Sequence, residues 1–200
     1  MAEIYKANCP VFKNGGAFKL TTPYGADIPD YPTKGKTGDH WGNDIVAVGK
    51  DGKSSTTDYI IAIADGVIFA QRKWVKQDTK NPPSAGNCVY IRHKNGMVSK
   101  YLHLKENTVP DWVGDNVEVK KGAVLGYMGN TGNSYGAHLH FQVETADEKT
   151  VDPLPYLLGE KIIDANTRYG ISFEKEEEAE KVVNALKALG IPAKIESTEV

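Results

Sequence analysis

Between residues 43 and 144 the β-branched and aromatic residues come in short runs, most of them closed within a few positions by glycine, proline or asparagine. The runs 44–48, 59–64, 66–71, 87–93, 97–104, 117–119, 124–128 and 138–144 are too short for helices of several turns and read as strands. Turns rather than helices fill the gaps, which argues against parallel crossovers and for an antiparallel sheet or sandwich. Two gaps carry tight-hairpin signals, Asp65-Gly66 and Lys94-Asn95-Gly96. The segment 77–86 is polar and contains two prolines, so it reads as a surface loop. The expectation is a mainly β fold.

The pattern changes at Asp152-Pro153-Leu154-Pro155-Tyr156. Past it, 169–173 reads as a strand, 174–189 as a helix and 193–197 as a returning strand. Ala179, Val182, Val183, Leu186 and Leu189 share one helical face, and Glu174, Glu176, Glu177 and Glu178 crowd the helix start, where the macrodipole favours carboxylates. Gly190 and Pro192 supply the stop. The chain therefore divides into a main β domain over 1–160 and a small α+β appendage of βαβ type over 161–200. So small a unit has too little core to stand alone. It is expected to pack on the main domain or to pair with a second copy, giving a homodimer.

Charge and hydropathy exclude several classes. With 24 Lys+Arg against 26 Asp+Glu the net charge is −2, so the basic footprint of a nucleic-acid binder is missing, and a polybasic membrane anchor with it. No apolar run approaches the roughly 18 residues of a membrane span. Residues 1–10 contain no apolar leader, so the expectation is synthesis in the cytoplasm without a signal peptide. Cys9 and Cys88, 79 positions apart, follow no metal spacing and are expected to be plain thiols.

Chemistry concentrates in the histidines, of which there are five: His40, His93, His103, His138 and His140. In His138-Leu139-His140 the strand period of two puts both imidazoles on one face, while Leu139, Phe141 and Val143 enter the core. His40 and Asp44 stand four apart around Gly42, an even spacing that puts them on one face of an extended segment. Gly42 removes a side chain where a metal or a backbone must come close. His103 alternates with Leu102 and Leu104 and reads as a single outward imidazole; His93, between Arg92 and Lys94, reads as solvent-facing. Zn²⁺ takes imidazole nitrogen and carboxylate oxygen, and a catalytic site uses three protein ligands plus water. His40, Asp44 and one histidine of the His-x-His pair supply that set, leaving two imidazoles for proton transfer.

These residues fall in a recognisable arrangement. His40-Trp41-Gly42-Asn43-Asp44-Ile45 resembles the His-x-Gly-x-Asp-Ile motif of the lysostaphin/LytM-type zinc endopeptidases of bacterial cell walls. Tyr101-Leu102-His103-Leu104 resembles their second motif, and the glycine-rich run from Gly126 to Phe141 their third. The resemblance spans roughly residues 18–158. It implies a central antiparallel sheet with a groove over it, one Zn²⁺ per chain on His40, Asp44 and His140, and His103 with His138 as the catalytic pair. It also implies peptidoglycan peptide as substrate, either stem-peptide cross-links or glycine-rich bridges. Asn43, Asn130, Thr131, Gly132, Ser134 and Tyr135 are candidate substrate contacts, with Tyr31 on the loosely matching loop 24–39.

The reaction implied is amide hydrolysis by a zinc-activated water, with imidazoles as base and donor, because no His-Glu-x-x-His helix offers a glutamate. A wall hydrolase without a leader points to a phage or prophage endolysin released through a holin, acting on the wall after release. The competing readings are a tail-associated lysin, a non-catalytic binding or activating protein of the same type, and a structural β domain of a phage particle. The tail loosely resembles half of a SPOR-type peptidoglycan-binding module.

Overall fold

The computed structural model describes residues 3–8, 10–13, 16–27, 40–49, 51–55, 58–77, 79–163 and 176–188. The alternating runs build strands β1 (Ile4–Lys6), β2 (Ala17–Thr22), β3 (Asn43–Val48), β4 (Tyr59–Ile61), β5 (Gly66–Arg72), β6 (Asn87–Arg92), β7 (Val98–Leu104), β8 (Val117–Val119), β9 (Val124–Tyr127), β10 (Leu139–Glu144) and β11 (Thr150–Val151). One turn of helix, α1 (Leu154–Leu157), follows. Among the described residues, nine strands form one antiparallel sheet in the order β1-β2-β3-β10-β7-β6-β5-β8, with β11 also on β10. The strands β4 and β9 form a separate pair. The mainly antiparallel β architecture expected from the turn-punctuated pattern is the one found.

The core follows the strand period. Ile45 and Ala47 of β3, Leu139, Phe141 and Val143 of β10, Tyr101 of β7 and Val89 and Ile91 of β6 are fully buried on one face of the large sheet. They join Ile60 of β4 and Leu125 of β9 in a single apolar cluster. The opposite face of β3, β10 and β7 is left to carry polar side chains, and it does.

Two local expectations are corrected. Asp65-Gly66 is no hairpin turn: β4 pairs with β9, whereas β5 pairs with β6 and β8, so the dipeptide is a corner between two sheets. The Asp65 carboxylate holds that corner by accepting the Lys121 N–H at 2.8 Å and Lys120 Nζ at 2.9 Å. Gly66 is needed for packing, since a Cβ there would meet the Arg92 carbonyl oxygen at 2.6 Å. The second signal does make the β6–β7 hairpin, with Gly96 at φ +85°. His93 is buried at 2% exposure, not solvent-facing. Its Nδ1–H donates to the Asp65 carbonyl at 2.7 Å and its Nε2 lies 2.8 Å from Ser99 Oγ. Ser99 in turn lies 3.2 Å from the Tyr101 hydroxyl, which accepts the Ile63 N–H at 2.9 Å. Lysine and arginine neighbours on a strand say nothing about the alternate residue, which faces the other way.

Contacts divide the chain into two compact units, Met1–Asn166 and Thr167–Val200. The first extends past residue 160 because Ile163 is buried and its carbonyl accepts Asn95 Nδ2 at 2.6 Å. Of the second, α2 (Glu176–Ala188) is described, with Lys181 and Glu177 paired one turn apart at 2.7 Å. The expected strands 169–173 and 193–197 lie outside the described residues, as do Cys9 and Tyr31. Cys88 is a buried free thiol.

Replacing Tyr101 with Phe removes the acceptor for a buried N–H, that of Ile63. The variant is expected to lose about 1–3 kcal/mol, read as a lower denaturation midpoint with an unchanged m-value.

Candidate metal centre

The antiparallel register of β10 on β3 sets His140 directly opposite Asp44, so both side chains leave the same face of the sheet. His40 precedes β3, and its Nδ1–H donates to the Pro23 carbonyl at 2.9 Å, which turns Nε2 toward the pair. The atoms converge: His40 Nε2 to Asp44 Oδ1 is 3.1 Å, His40 Nε2 to His140 Nδ1 is 3.1 Å, and His140 Nδ1 to Asp44 Oδ1 is 2.9 Å. Gly42 permits this. A Cβ there would lie 2.6 Å from His140 Nε2 and 2.5 Å from the Phe141 carbonyl oxygen.

The donor set suits a divalent ion of the zinc type. His40, Asp44 and His140 each offer one ligand atom, all within 4.8 Å of one another. Tetrahedral bonds of about 2.0–2.1 Å would space such donors about 3.3 Å apart. With Nδ1–H committed to the Pro23 carbonyl, His40 turns Nε2 toward a carboxylate oxygen and a second imidazole, so three ligand atoms frame a place for a cation. Burial alone would raise the Asp44 carboxyl, but hydrogen bonds from His138, His140 and His40 outweigh it and hold the group well below the usual carboxylate range. Burial is the leading reason that the His140 imidazole is shifted toward its neutral form, the form that ligates.

Two further imidazoles border the cluster. His138 donates Nδ1–H to the Gly136 carbonyl at 2.7 Å and brings Nε2 to 3.4 Å from Asp44 Oδ1. Burial lowers its pKa, but the Asp44 carboxylate more than restores it and leaves it raised. The His103 ring centroid lies 4.9 Å from that of His138 and 6.0 Å from that of His140. Burial, with the neighbouring His138 and His140, lowers the His103 pKa to about 3.

The route by which His103 gets there differs from the regular alternation expected. The β6–β7 register shifts between Asn87↔Leu104 and Val89↔Tyr101, and within that bulge His103 adopts φ +62°. Tyr101 and Leu104 both enter the core as a result, while Leu102 and His103 both line the cleft. A left-handed β-strand histidine is costly and must be held. Thr131 holds it. The Thr131 carbonyl accepts His103 Nδ1–H at 2.8 Å, and its hydroxyl donates to the Leu104 carbonyl at 2.7 Å while accepting the Asn87 N–H at 2.9 Å.

The cluster forms the floor of a cleft of about 500 Å³. One wall is Thr21, Thr22 and Asp27; the other is Ser84, Ala85 and the loop 133–137. Ser134 and Tyr135 line it, Tyr135 at 91% exposure, and Ser134 Oγ donates to Asn130 Oδ1 at 2.6 Å. Asn43 and Thr131, read as substrate contacts, are instead buried and occupied inside the protein. Asn43 accepts the Tyr24 N–H at 2.7 Å and donates to Asp152 Oδ1 at 3.2 Å, because its parity in β3 is opposite to that of Asp44. Gly132, at φ +85°, is pressed against Gly86, where a Cβ would meet backbone nitrogen at 2.3 Å, so it serves the turn. The Pro23 carbonyl and the Thr21–Thr22 wall have no motif of their own in the sequence, whereas the 77–86 loop is legible from its polar, proline-containing composition.

This geometry has relatives. The profile of peptidase family M23 matches residues 40–153. The chain belongs to peptidase family M23. It is 37% identical over 86 residues to the peptidoglycan DD-endopeptidase ShyC of Vibrio cholerae, covering 43% of this chain and 19% of that protein. It is 32% identical over 132 residues to the glycyl-glycine endopeptidase ALE-1 of Staphylococcus capitis, covering 64% of this chain and 31% of that protein. The matches thus span only between a fifth and a third of these relatives. The crystal structure of the lysostaphin catalytic domain of Staphylococcus simulans superposes with a TM-score of 0.52 at 25% identity, over 70% of this chain and 92% of that one. The M23 match begins at His40 and encloses Asp44, His103, His138 and His140.

Within this M23 domain Thr131→Val leaves the Leu104 carbonyl and the Asn87 N–H without their partner. It is expected to cost about 1–3 kcal/mol in thermal denaturation, whereas Thr131→Ser, which keeps the hydroxyl, costs less.

Proposed function

We propose that the protein is a zinc-dependent endopeptidase that hydrolyses peptide bonds in the cross-links or bridges of bacterial peptidoglycan. The observation that carries the reading is the convergence of His40, Asp44 and His140 beneath a cleft whose floor also presents His103 and His138. Zn²⁺ bound to those three residues would supply Lewis acidity toward an amide carbonyl and lower the pKa of a water toward about 7.

The chain's own groups perform the remaining work. With Nδ1–H fixed on Thr131, neutral His103 carries its lone pair on Nε2 and can take a proton there. His138, fixed likewise through Gly136, keeps Nε2 beside the Asp44 carboxylate, which favours the charged ring and suits it to stabilise negative charge on a tetrahedral centre or to return a proton to the leaving amine. The small side chains Ser84, Ala85, Ser134 and Ala137 leave the cleft open to an extended peptide, and Tyr135 at its rim is a substrate contact in this reading. The relatives offer two bond classes, since ShyC is a peptidoglycan DD-endopeptidase and ALE-1 a glycyl-glycine endopeptidase.

The decisive assay is release of new amine and carboxyl ends from purified sacculi. Chelation is expected to abolish release and zinc to restore it; activity indifferent to the chelator overturns the reading. His140→Ala is expected to lose both bound zinc and activity, while His103→Ala keeps zinc and loses at least about 100-fold in turnover. An unaltered zinc content without any cleavage of sacculi would point to the non-catalytic alternative.

Gly42→Ala tests the approach of the β3 entry to His140. It is expected to weaken zinc binding about 10–100-fold, measured by competition with a chromophoric chelator, because the added methyl displaces the imidazole.

A further inference from the structure

Asn43 stands between His40 and Asp44 in the sequence and is buried at 1% exposure. A buried amide is unfavourable unless its polar groups are bonded, and the bonds of this one show what it holds. Its Oδ1 accepts the Tyr24 N–H at 2.7 Å, and its Nδ2 donates to Asp152 Oδ1 at 3.2 Å. Asp152 is fixed in turn, because the same oxygen accepts the Leu154 N–H at 2.9 Å where α1 begins. Tyr24 is tied to this segment a second time through its hydroxyl, which donates to the Thr150 carbonyl at 3.0 Å.

The Tyr24 N–H belongs to the same peptide unit as the Pro23 carbonyl, which accepts His40 Nδ1–H at 2.9 Å. A peptide unit is planar, and in the trans form its N–H and C=O point in opposite directions. Holding one end therefore aims the other. The Pro23 carbonyl also closes a turn by accepting the Ala26 N–H at 3.3 Å, and the Gly25 N–H of that turn donates to the His40 carbonyl at 2.8 Å. Turn closure uses the donor of the fourth residue, so the turn itself gives the Tyr24 N–H no partner. Asn43 supplies one. A continuous path thus runs from α1 through Asp152, Asn43 and the Pro23–Tyr24 peptide to the His40 ring, whose Nε2 faces Asp44 and His140.

We propose that Asn43 is a positioning residue for the metal centre, clamping the Pro23–Tyr24 peptide so that His40 offers Nε2 in one orientation and one tautomer, with Asp152 as the anchor of the clamp. This role rests on the zinc reading above and deepens it by adding a support that contacts no ligand side chain. Without the clamp the peptide is free to rotate, the ring loses its fixed acceptor, and each binding event must order it again.

The test uses the full chain as purified and then titrated with zinc against a chromophoric chelator. With nitrogen-labelled histidine, the His40 Nδ1–H resonance, assigned by its loss in His40→Ala, reports the aim of the ring without any substrate. Asn43→Ala is expected to speed exchange of that hydrogen with water at least about tenfold and to weaken zinc binding about 10–100-fold. Asp152→Ala, at an exposed position, should move both readouts the same way by less, and it carries the test if Asn43→Ala does not fold. Tyr101→Phe is the control for stability, since it loses a buried bond elsewhere, and its zinc affinity should stay within about twofold of wild type. Unchanged affinity in Asn43→Ala would overturn the clamp, as would an equal loss in Tyr101→Phe, which would show affinity following stability alone. If wild type takes up no zinc, the zinc reading fails by itself and the His40 resonance decides the clamp: faster exchange in both variants upholds it, and unchanged exchange overturns it.

Discussion

One antiparallel ladder decides the character of this molecule: β10 on β3, with His140 facing Asp44. A strand's side chains alternate, so a slip of β10 by one residue would send His140 into the core and bring Leu139 and Phe141 to the cleft. The register is pinned from the apolar side. Ile45, Leu139, Phe141 and Val143 are fully buried, and a one-residue slip of β10 would turn the last three out of the core. Core packing therefore sets the geometry of the polar face, and the carboxylate and imidazole meet as a by-product of hydrophobic burial.

The second half of the cluster is positioned by different physics. His103 and His138 owe their places to backbone carbonyls in the glycine-rich loop, those of Thr131 and Gly136. That loop is zipped to the 84–87 segment by the Asn133 N–H on the Ser84 carbonyl at 2.9 Å and by the Asn87 N–H on Thr131. The zipper matters because His103 sits at φ +62° in a bulge, a conformation that persists only where neighbours impose it. A ladder can fix a side chain to one of two faces. Turning one off the regular period takes a bulge and a partner that fastens it.

This division explains how far the chain could be read before its structure was in hand. The turn-punctuated runs show a mainly antiparallel sheet because period and turn chemistry are local properties. The pairing of β4 with β9 is not local, so Asp65-Gly66 looks like a hairpin and is a corner. The strands β1, β2 and β11 escape notice for a similar reason: they are edge or near-edge segments whose identity comes from the strand beside them. His40, Asp44, His103, His138 and His140 stand out by spacing and motif, and the structure brings all five to one cleft floor. Asn43 and Thr131 lie inside the same motifs yet face inward, since a motif marks a neighbourhood and parity decides which side of it sees solvent. His93 makes the converse point, because its charged neighbours conceal a buried chain of hydrogen bonds through Ser99 to Tyr101.

Gathering a carboxylate and four imidazoles at one place is unfavourable for folding. Each loses solvation, and the histidines oppose one another's protonation, as the depressed pKa of His103 shows. The fold offsets this by giving His40, His103 and His138 a main-chain carbonyl for the distal nitrogen, at Pro23, Thr131 and Gly136. Each such bond satisfies one buried donor and selects the tautomer that turns the other nitrogen inward. His140 follows another rule, with Nδ1 inward and its Nε2 edge against Gly42. The absence of a side chain at residue 42 thus gives His140 the room to bring Nδ1 inward. The glycine belongs to the site as fully as the donors do, although it offers no donor atom of its own.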